Sequence, residues 1–222
     1  MALFVHIIIV ILEMMVVNYM FAVNGMELFK YYTDNSNLLC LITSAIFVIF
    51  MLPAVSKGRT SGFVSTYMMQ HYKGSVTIPE WLTFIRYVTT CCLGLTCIVV
   101  LLVLGPKDGY AHQLLSGMHP LDHLGVPLAS TLSFLFLENE RPLPKNAPYV
   151  SLGLTIIYAI VIILLNAMGI VDGPYFFLRI REQSLLLTFI WTVVLLGGDF
   201  LLSVVVMKVY NSLVKVRKGN RK

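Results

Sequence analysis

Two short polar segments interrupt an otherwise apolar sequence, and both contain residue types that can do nucleophilic chemistry. They are residues 31–37 (YYTDNSN) and residues 118–123 (MHPLDH). A threonine hydroxyl is a poor nucleophile until a nearby base takes its proton, and histidine most often supplies that base. The two segments therefore predict a site in which Thr33 is the nucleophile and His123 the base. Asn37 is expected to orient either group or to donate a hydrogen bond to a developing oxyanion.

Further polar side chains are expected around this pair as substrate contacts. They are Asn35, Ser36, His119, Asp122, Asn166 and Tyr175. A purely structural explanation stays open at this point: Thr33 or Asp34 caps a helix, and His123 is an interfacial histidine hydrogen-bonded to a loop.

The elements that must position these residues are membrane-spanning helices. Of the 222 residues, 58% are hydrophobic and 12% charged, against about 45–50% and about 25% in soluble domains, and the mean hydropathy is +0.83. These values exclude a soluble globular protein. Each apolar run approaches the roughly 20 residues that a spanning helix needs, and the runs lie at about 2–23, 37–55, 83–105, 123–138, 149–170 and 185–210. The sequence predicts one all-α domain, a bundle of six transmembrane helices, followed by a basic tail at 211–222.

The distribution of basic residues predicts the orientation of this bundle. Six alternating spans place twelve of the sixteen lysines and arginines on the side that holds both termini. Because cytoplasmic loops are enriched in Lys and Arg, both termini are expected in the cytoplasm. The second and fourth spans then begin on the outer face, which puts Thr33 and His123 at a similar depth.

Several ionisable or amide side chains fall within the spans themselves. They are Glu13, Asn18 and Asp199. Burying such groups in a bilayer is energetically costly, so they usually mark functional sites. Three interpretations are open: neutral groups hydrogen-bonded across helices, a proton relay, or the polar floor of a cavity. Arg86 and Glu138, near the inner span ends, are expected to anchor the helices by reaching the lipid headgroups.

Other ligands and partners have little support in the sequence. Cys40, Cys91, Cys92 and Cys97 lie in apolar runs without metal-ligand spacing, which predicts packing residues and no metal or cofactor. The formal net charge is +5, but the basic residues lie at the ends of apolar segments, so no nucleic-acid partner is expected. The expected partners are the lipid bilayer and a lipid or fatty acid ester.

Three segments carry a family resemblance. Residues 29–39 (FKYYTDNSNLL), 123–127 (HLGVP) and 173–178 (GPYFFL) resemble marker segments of the androgen-induced gene 1 type membrane proteins and their bacterial relatives. The Thr-Asp-Asn-Ser-Asn segment is similar to the bacterial branch, because the Asn stands one position nearer the Thr in the animal pattern.

The resemblance implies a threonine hydrolase that cleaves a fatty acid or hydroxy fatty acid ester within the membrane. It places Thr33 in the nucleophile position and His123 in the histidine position, and it implies the bacterial cytoplasmic membrane as the location. Two alternatives remain: a small proton-coupled transporter built around Glu13, Asn18 and Asp199, and a non-catalytic lipid-binding membrane protein.

Overall fold

Helices make up the regular structure of the described chain. The computed structural model describes residues 1–55 and 78–219, and it has no strand there. The elements are α1 (Ala2–Asn24), α2 (Tyr32–Val55), α3 (Glu80–Asp108), the short α4 (Tyr110–Leu115), α5 (Pro120–Leu137), α6 (Ala147–Ala167) and α7 (Leu185–Gly219). All except α4 are long and apolar enough to cross a membrane. The prediction of a six-helix, multi-pass membrane protein is confirmed.

Helix α3 occupies the centre of the bundle. It is the most buried of the six long helices, and it contacts α2 and α5 on one side and α6 and α7 on the other. Helix α7 is the least buried, and large side chains such as Leu185, Phe189 and Leu201 are exposed along it. Exposed apolar side chains are expected where a helix faces lipid rather than water.

Helix α2 begins before the apolar run that predicted it. A 3₁₀ turn over Gly25–Lys30 follows α1, and α2 then starts at Tyr32 rather than at position 37. At this junction the Asn35 side-chain amide donates to the carbonyls of Phe29 and Tyr31, and the Tyr31 carbonyl also accepts the backbone N–H of Asn35. Residues 33–37 therefore lie on the first turns of a helix, and Thr33 is inside the helix instead of capping it.

Helix α5 starts at Pro120, three residues before the expected position, and it is irregular. Two π-helical turns, Pro120–Gly125 and Ser133–Leu137, flank an α-helical segment, Val126–Leu132. Wider turns of this kind often occur at functional sites. The first of them contains both Asp122 and His123.

The two ends of the bundle differ in what they contain. One end, called here the cavity end, holds the starts of α2 and α5 and the segment after α6. At the opposite end, called the terminal end, Trp81, Pro144 and Lys218 line one groove near the end of α7. Residues 211–219 of the predicted basic tail continue α7 as helix, and Arg217 donates to Asn139 at 2.7 Å. Positions 220–222 of that tail lie outside the described residues.

The expectation that Arg86 and Glu138 reach the headgroups is wrong. Both are buried, with side-chain exposures of 0% and 1%, and Arg86 Nε donates to Glu138 Oε2 at 3.2 Å. Glu138 Oε1 also accepts from Ser133 Oγ at 2.8 Å and lies 2.9 Å from His6 Nε2. Burial alone would raise the pKa of Glu138, but Arg86 and His6 outweigh it and hold that pKa at about 2. The two residues form a buried ion pair because only that arrangement satisfies both charges away from water.

Candidate active site

A polar cavity of about 450 Å³ lies at the cavity end of the bundle. It is lined by the start of α2, the end of α3, helix α4, the start of α5 and the segment after α6. Five of the predicted site residues line it: Thr33, His119, Asp122, His123 and Tyr175. Because Thr33 and His123 face one cavity, they lie at the same end of the bundle, as the sequence predicts.

Thr33 is held by Tyr175 rather than by His123. Its Oγ1 lies 3.3 Å from the Tyr175 hydroxyl, and its backbone N–H donates to the same hydroxyl at 3.3 Å. Burial raises the pKa of Tyr175 to about 12, although the contacts with Thr33 oppose that rise. Tyr175 is therefore protonated at neutral pH, and its O–H is available as a donor beside Thr33.

His123 has one ring nitrogen free to act as a base. Its Nδ1 lies 2.6 Å from the carbonyl oxygen of Gln113, so Nδ1 carries the hydrogen, since a carbonyl can only accept. Its Nε2 is then unprotonated and lies 3.7 Å from Asp122 Oδ1. The His123 ring also stacks on His119 with centroids 4.7 Å apart, which fixes its orientation.

Asn37 connects α2 to α5 one turn below Thr33. Its Nδ2 donates to the carbonyl of Thr33 at 3.0 Å and to the carbonyl of Asp122 at 3.3 Å. Both amide hydrogens are therefore engaged. In this arrangement Asn37 positions the two segments and has no hydrogen left for an oxyanion.

An apolar slot of about 70 Å³ adjoins the polar cavity. Thr33, Leu104 and Tyr175 line both spaces. Most of its remaining walls come from aliphatic and aromatic side chains of α3, α6 and α7, such as Val99, Ile163 and Leu195. The slot is therefore apolar, and it meets the polar cavity at Thr33 and Tyr175.

Three predicted contact residues lie outside the cavity. Asn35 bonds to backbone carbonyls at the start of α2, and the buried Ser36 donates to the carbonyl of Tyr32 at 2.8 Å. The Asn166 amide donates to the carbonyl of Val171 at 2.9 Å, where it stabilises the chain reversal after α6. Each of these side chains holds local backbone geometry.

The intramembrane polar residues do not form one site. Glu13 is fully buried beside Cys40 and interacts with Asp122, whereas Asp199 is buried beside Thr155 on the other side of α3. The exposed Asn18 amide donates to the carbonyl of Met14 within α1. Glu13 therefore interacts with one cavity residue without lining the cavity, and Asp199 belongs to a separate cluster.

Several cavity residues were not among the predicted site residues. Asp34, Lys107, His112 and Gln113 line the cavity, and the first is adjacent to Thr33 in sequence. The polar composition of residues 107–113 was a usable signal for the others, but nothing in the sequence indicates that the Gln113 carbonyl binds His123. Within residues 1–55 and 78–219, no group of three or more His, Cys, Asp or Glu side chains is arranged to hold a metal ion.

Comparisons with protein-family models, with curated proteins and with solved structures find no match for this chain.

Proposed function

We propose that this protein is an integral membrane lipid hydrolase that cleaves a fatty acid or hydroxy fatty acid ester, with Thr33 as nucleophile and His123 as base. The observation that carries the proposal is the junction of the two spaces at Thr33 and Tyr175: a polar cavity on one side and an apolar slot on the other. An ester lipid also has one apolar and one polar part, its acyl chain and its ester group, which match the slot and the cavity. The resemblance to the androgen-induced gene 1 type proteins supports the same two residues.

In the proposed reaction, Thr33 Oγ1 attacks the carbonyl carbon while its proton passes to His123 Nε2. The bond to the leaving alkoxide then breaks, and His123 returns the proton to that oxygen. A water molecule, deprotonated in turn by His123, then attacks the acyl-threonine and releases a fatty acid and the threonine hydroxyl. Thr33 and His123 share the cavity without a direct hydrogen bond, and such contacts commonly tighten only when substrate is bound or pass through one water.

The Tyr175 hydroxyl is the best-placed donor for the developing oxyanion. It lies 3.3 Å from the nucleophilic oxygen, the residue is half-buried, and its raised pKa keeps the hydroxyl protonated. A donor fixed beforehand in a water-poor site stabilises the oxyanion more than water does.

The proposal is tested by labelling the purified protein with a fluorophosphonate probe that reacts with activated serine and threonine hydroxyls. Thr33→Ala and His123→Ala are each expected to abolish labelling, because losing a nucleophile or base costs several orders of magnitude in rate. Tyr175→Phe is expected to slow labelling by about 100- to 1000-fold, as loss of an oxyanion donor does.

Thr188→Ala is the matched control. Thr188 lies at the same end, on α7, and its hydroxyl donates to the carbonyl of Ser184 at 3.2 Å. This variant should label like the wild type. Undiminished labelling of Thr33→Ala and His123→Ala would exclude the mechanism.

We also propose that both termini lie in the cytoplasm of a bacterial cell, so that the cavity opens at the outer face of the cytoplasmic membrane. The excess of Lys and Arg at the terminal end supports this orientation.

A further inference from the structure

The polar cavity contains unpaired carboxyl groups that the proposed hydrolysis does not use. Asp34 is 6% exposed beside Thr33, and Asp122 is fully buried; both line the cavity. The two groups interact electrostatically, and the amides of Asp122 and His123 lie near the Asp122 carboxylate. Even so, no described group donates to either Asp122 oxygen with hydrogen-bond geometry, and Asp34 has no such donor among the described residues.

The same cavity contains an unpaired cation. Lys107 Nζ lies 3.3 Å from the centroid of the Phe176 ring and forms no ion pair with a described carboxylate. Arg179 also lines the cavity, but it is held by the carbonyl of Gly173 at 3.1 Å and by Glu182 at 3.5 Å. The cavity therefore has groups of both charge signs that do not neutralise each other.

A buried carboxyl group without a donor is costly, and a ligand that supplies N–H groups removes that cost. A primary ammonium has three N–H donors and a positive charge, whereas a quaternary ammonium has no donor. Aromatic rings favour a cation further, and Tyr31 and Tyr175 line the cavity, with centroids 6.2 Å apart in an edge-on pair. A phosphate elsewhere in the ligand would pair with Lys107.

We infer that the polar cavity binds the headgroup of an ethanolamine phospholipid, with the ammonium at Asp34 and Asp122 and the phosphate at Lys107. The inference rests on the proposed ester hydrolysis and names its substrate class. The scissile bond is then an acyl ester of a glycerophospholipid, with that acyl chain in the apolar slot. Attack by Thr33 forms the acyl-threonine and releases a lysophospholipid, and water then releases the fatty acid and restores the threonine hydroxyl.

Binding is measured apart from turnover in full-length Thr33→Val protein, which keeps the side-chain shape and lacks the nucleophile. Lipid occupancy is compared by native mass spectrometry for phosphatidylethanolamine, phosphatidylcholine and phosphatidylglycerol with identical acyl chains. Phosphatidylethanolamine is expected to bind about tenfold or more tightly than the other two, because it alone supplies donors and a positive charge to buried carboxylates. Adding Asp34→Asn should reduce this preference to within about twofold.

Asp172→Asn is the matched control, because Asp172 is exposed at the same end and does not line the cavity; it should keep the preference. Lys107→Gln should weaken the binding of all three lipids alike, because all three carry the phosphate. If Asp34→Asn does not fold, Asp34→Glu replaces it and should retain the preference. Equal binding of phosphatidylcholine, or tighter binding of phosphatidylglycerol, would overturn the inference.

The result separates this inference from the proposed function. Probe labelling of the wild type without a phosphatidylethanolamine preference leaves the hydrolase proposal standing and removes the substrate class. A phosphatidylethanolamine preference without probe labelling supports the headgroup site and removes the hydrolase proposal.

Discussion

Individual hydrogen bonds decide which residues can take part in the proposed chemistry. Asn37 and Tyr175 are both polar groups near the nucleophile, but the two Asn37 amide hydrogens are engaged by backbone carbonyls. The Tyr175 hydroxyl accepts from the Thr33 amide and still has its own hydrogen to donate. The oxyanion role therefore belongs to Tyr175, and Asn37 positions Thr33 relative to Asp122.

At the same scale, the buried pair Arg86–Glu138 is expected to contribute far more to stability than the exposed pair Glu80–Arg141. Arg86→Met should lower the free energy of unfolding by about 3–5 kcal/mol, because it leaves Glu138 buried without its main partner. Arg141→Met should cost no more than about 1 kcal/mol, since its partner Glu80 is 75% exposed. Thermal unfolding in detergent measures both effects.

The double variant Arg86→Met/Glu138→Gln separates loss of charge pairing from loss of packing. It should recover part of the lost thermal stability, because no unpaired charge remains. Equal losses for Arg86→Met and Arg141→Met would contradict the assignment of a stabilising buried pair.

At the scale of elements, the segment after α6 matters as much as the spanning helices, because it carries Tyr175 into the cavity. It folds tightly: a Cβ on Gly173 would lie 2.7 Å from the backbone of Leu178. Close approach of this kind is possible only for glycine. The position of Tyr175 therefore depends on a residue that does not touch the substrate.

Gly173→Ala is accordingly expected to reduce fluorophosphonate labelling while most of the protein stays folded. Overpacking costs roughly 1–3 kcal/mol of stability, and a shift of about 1 Å near the reacting atoms costs on the order of a hundredfold in rate. Labelling rate and unfolding temperature are measured together on one preparation.

Gly153→Ala provides the comparison, because a Cβ at that position on α6 has no neighbour within 4 Å. It should leave both quantities near their wild-type values. Wild-type labelling of Gly173→Ala would show that the segment tolerates the displacement and that Tyr175 is not critically placed.

At the scale of the whole molecule, the proposed orientation makes the cavity accessible from outside the cell. In a background without Cys40, Cys91, Cys92 and Cys97, single cysteines are introduced at Asn35, Gly109 or Lys145. The first two should react with a membrane-impermeant maleimide on intact cells, and the one at Lys145 only after permeabilisation, because Lys145 lies between α5 and α6 at the opposite end.

Gly58 and Asn220, which the sequence places on the same inner side as Lys145, lie outside the described residues and serve as further inner positions. If only the cysteine at Lys145 reacted on intact cells, the proposed orientation would be wrong and both termini would lie outside. Labelling of Asn35 and Gly109 on opposite sides would separate Thr33 from the end of α3 by a bilayer and exclude the shared cavity.

The number of spanning helices, the all-helical fold and the candidate pair Thr33 and His123 follow from the sequence alone. A lipid environment requires about 20 consecutive apolar residues for each crossing. The number of spanning helices can therefore be counted from the apolar runs in the sequence. The start of α2 could not be located in this way. Its first turn faces a polar cavity, and polar residues at a helix start look like a loop in a hydropathy pattern.

The partners of the polar side chains were decided only by the tertiary structure. Arg86 and Glu138 are 52 residues apart and Thr33 and Tyr175 are 142 residues apart, and hydropathy does not indicate which helix faces which. An Arg at a span end looks the same in sequence whether it reaches the headgroups or a buried carboxylate. Helix packing around α3 makes that choice, because a charge enclosed among helices must find its partner there, whereas a charge on the lipid-facing side extends to water.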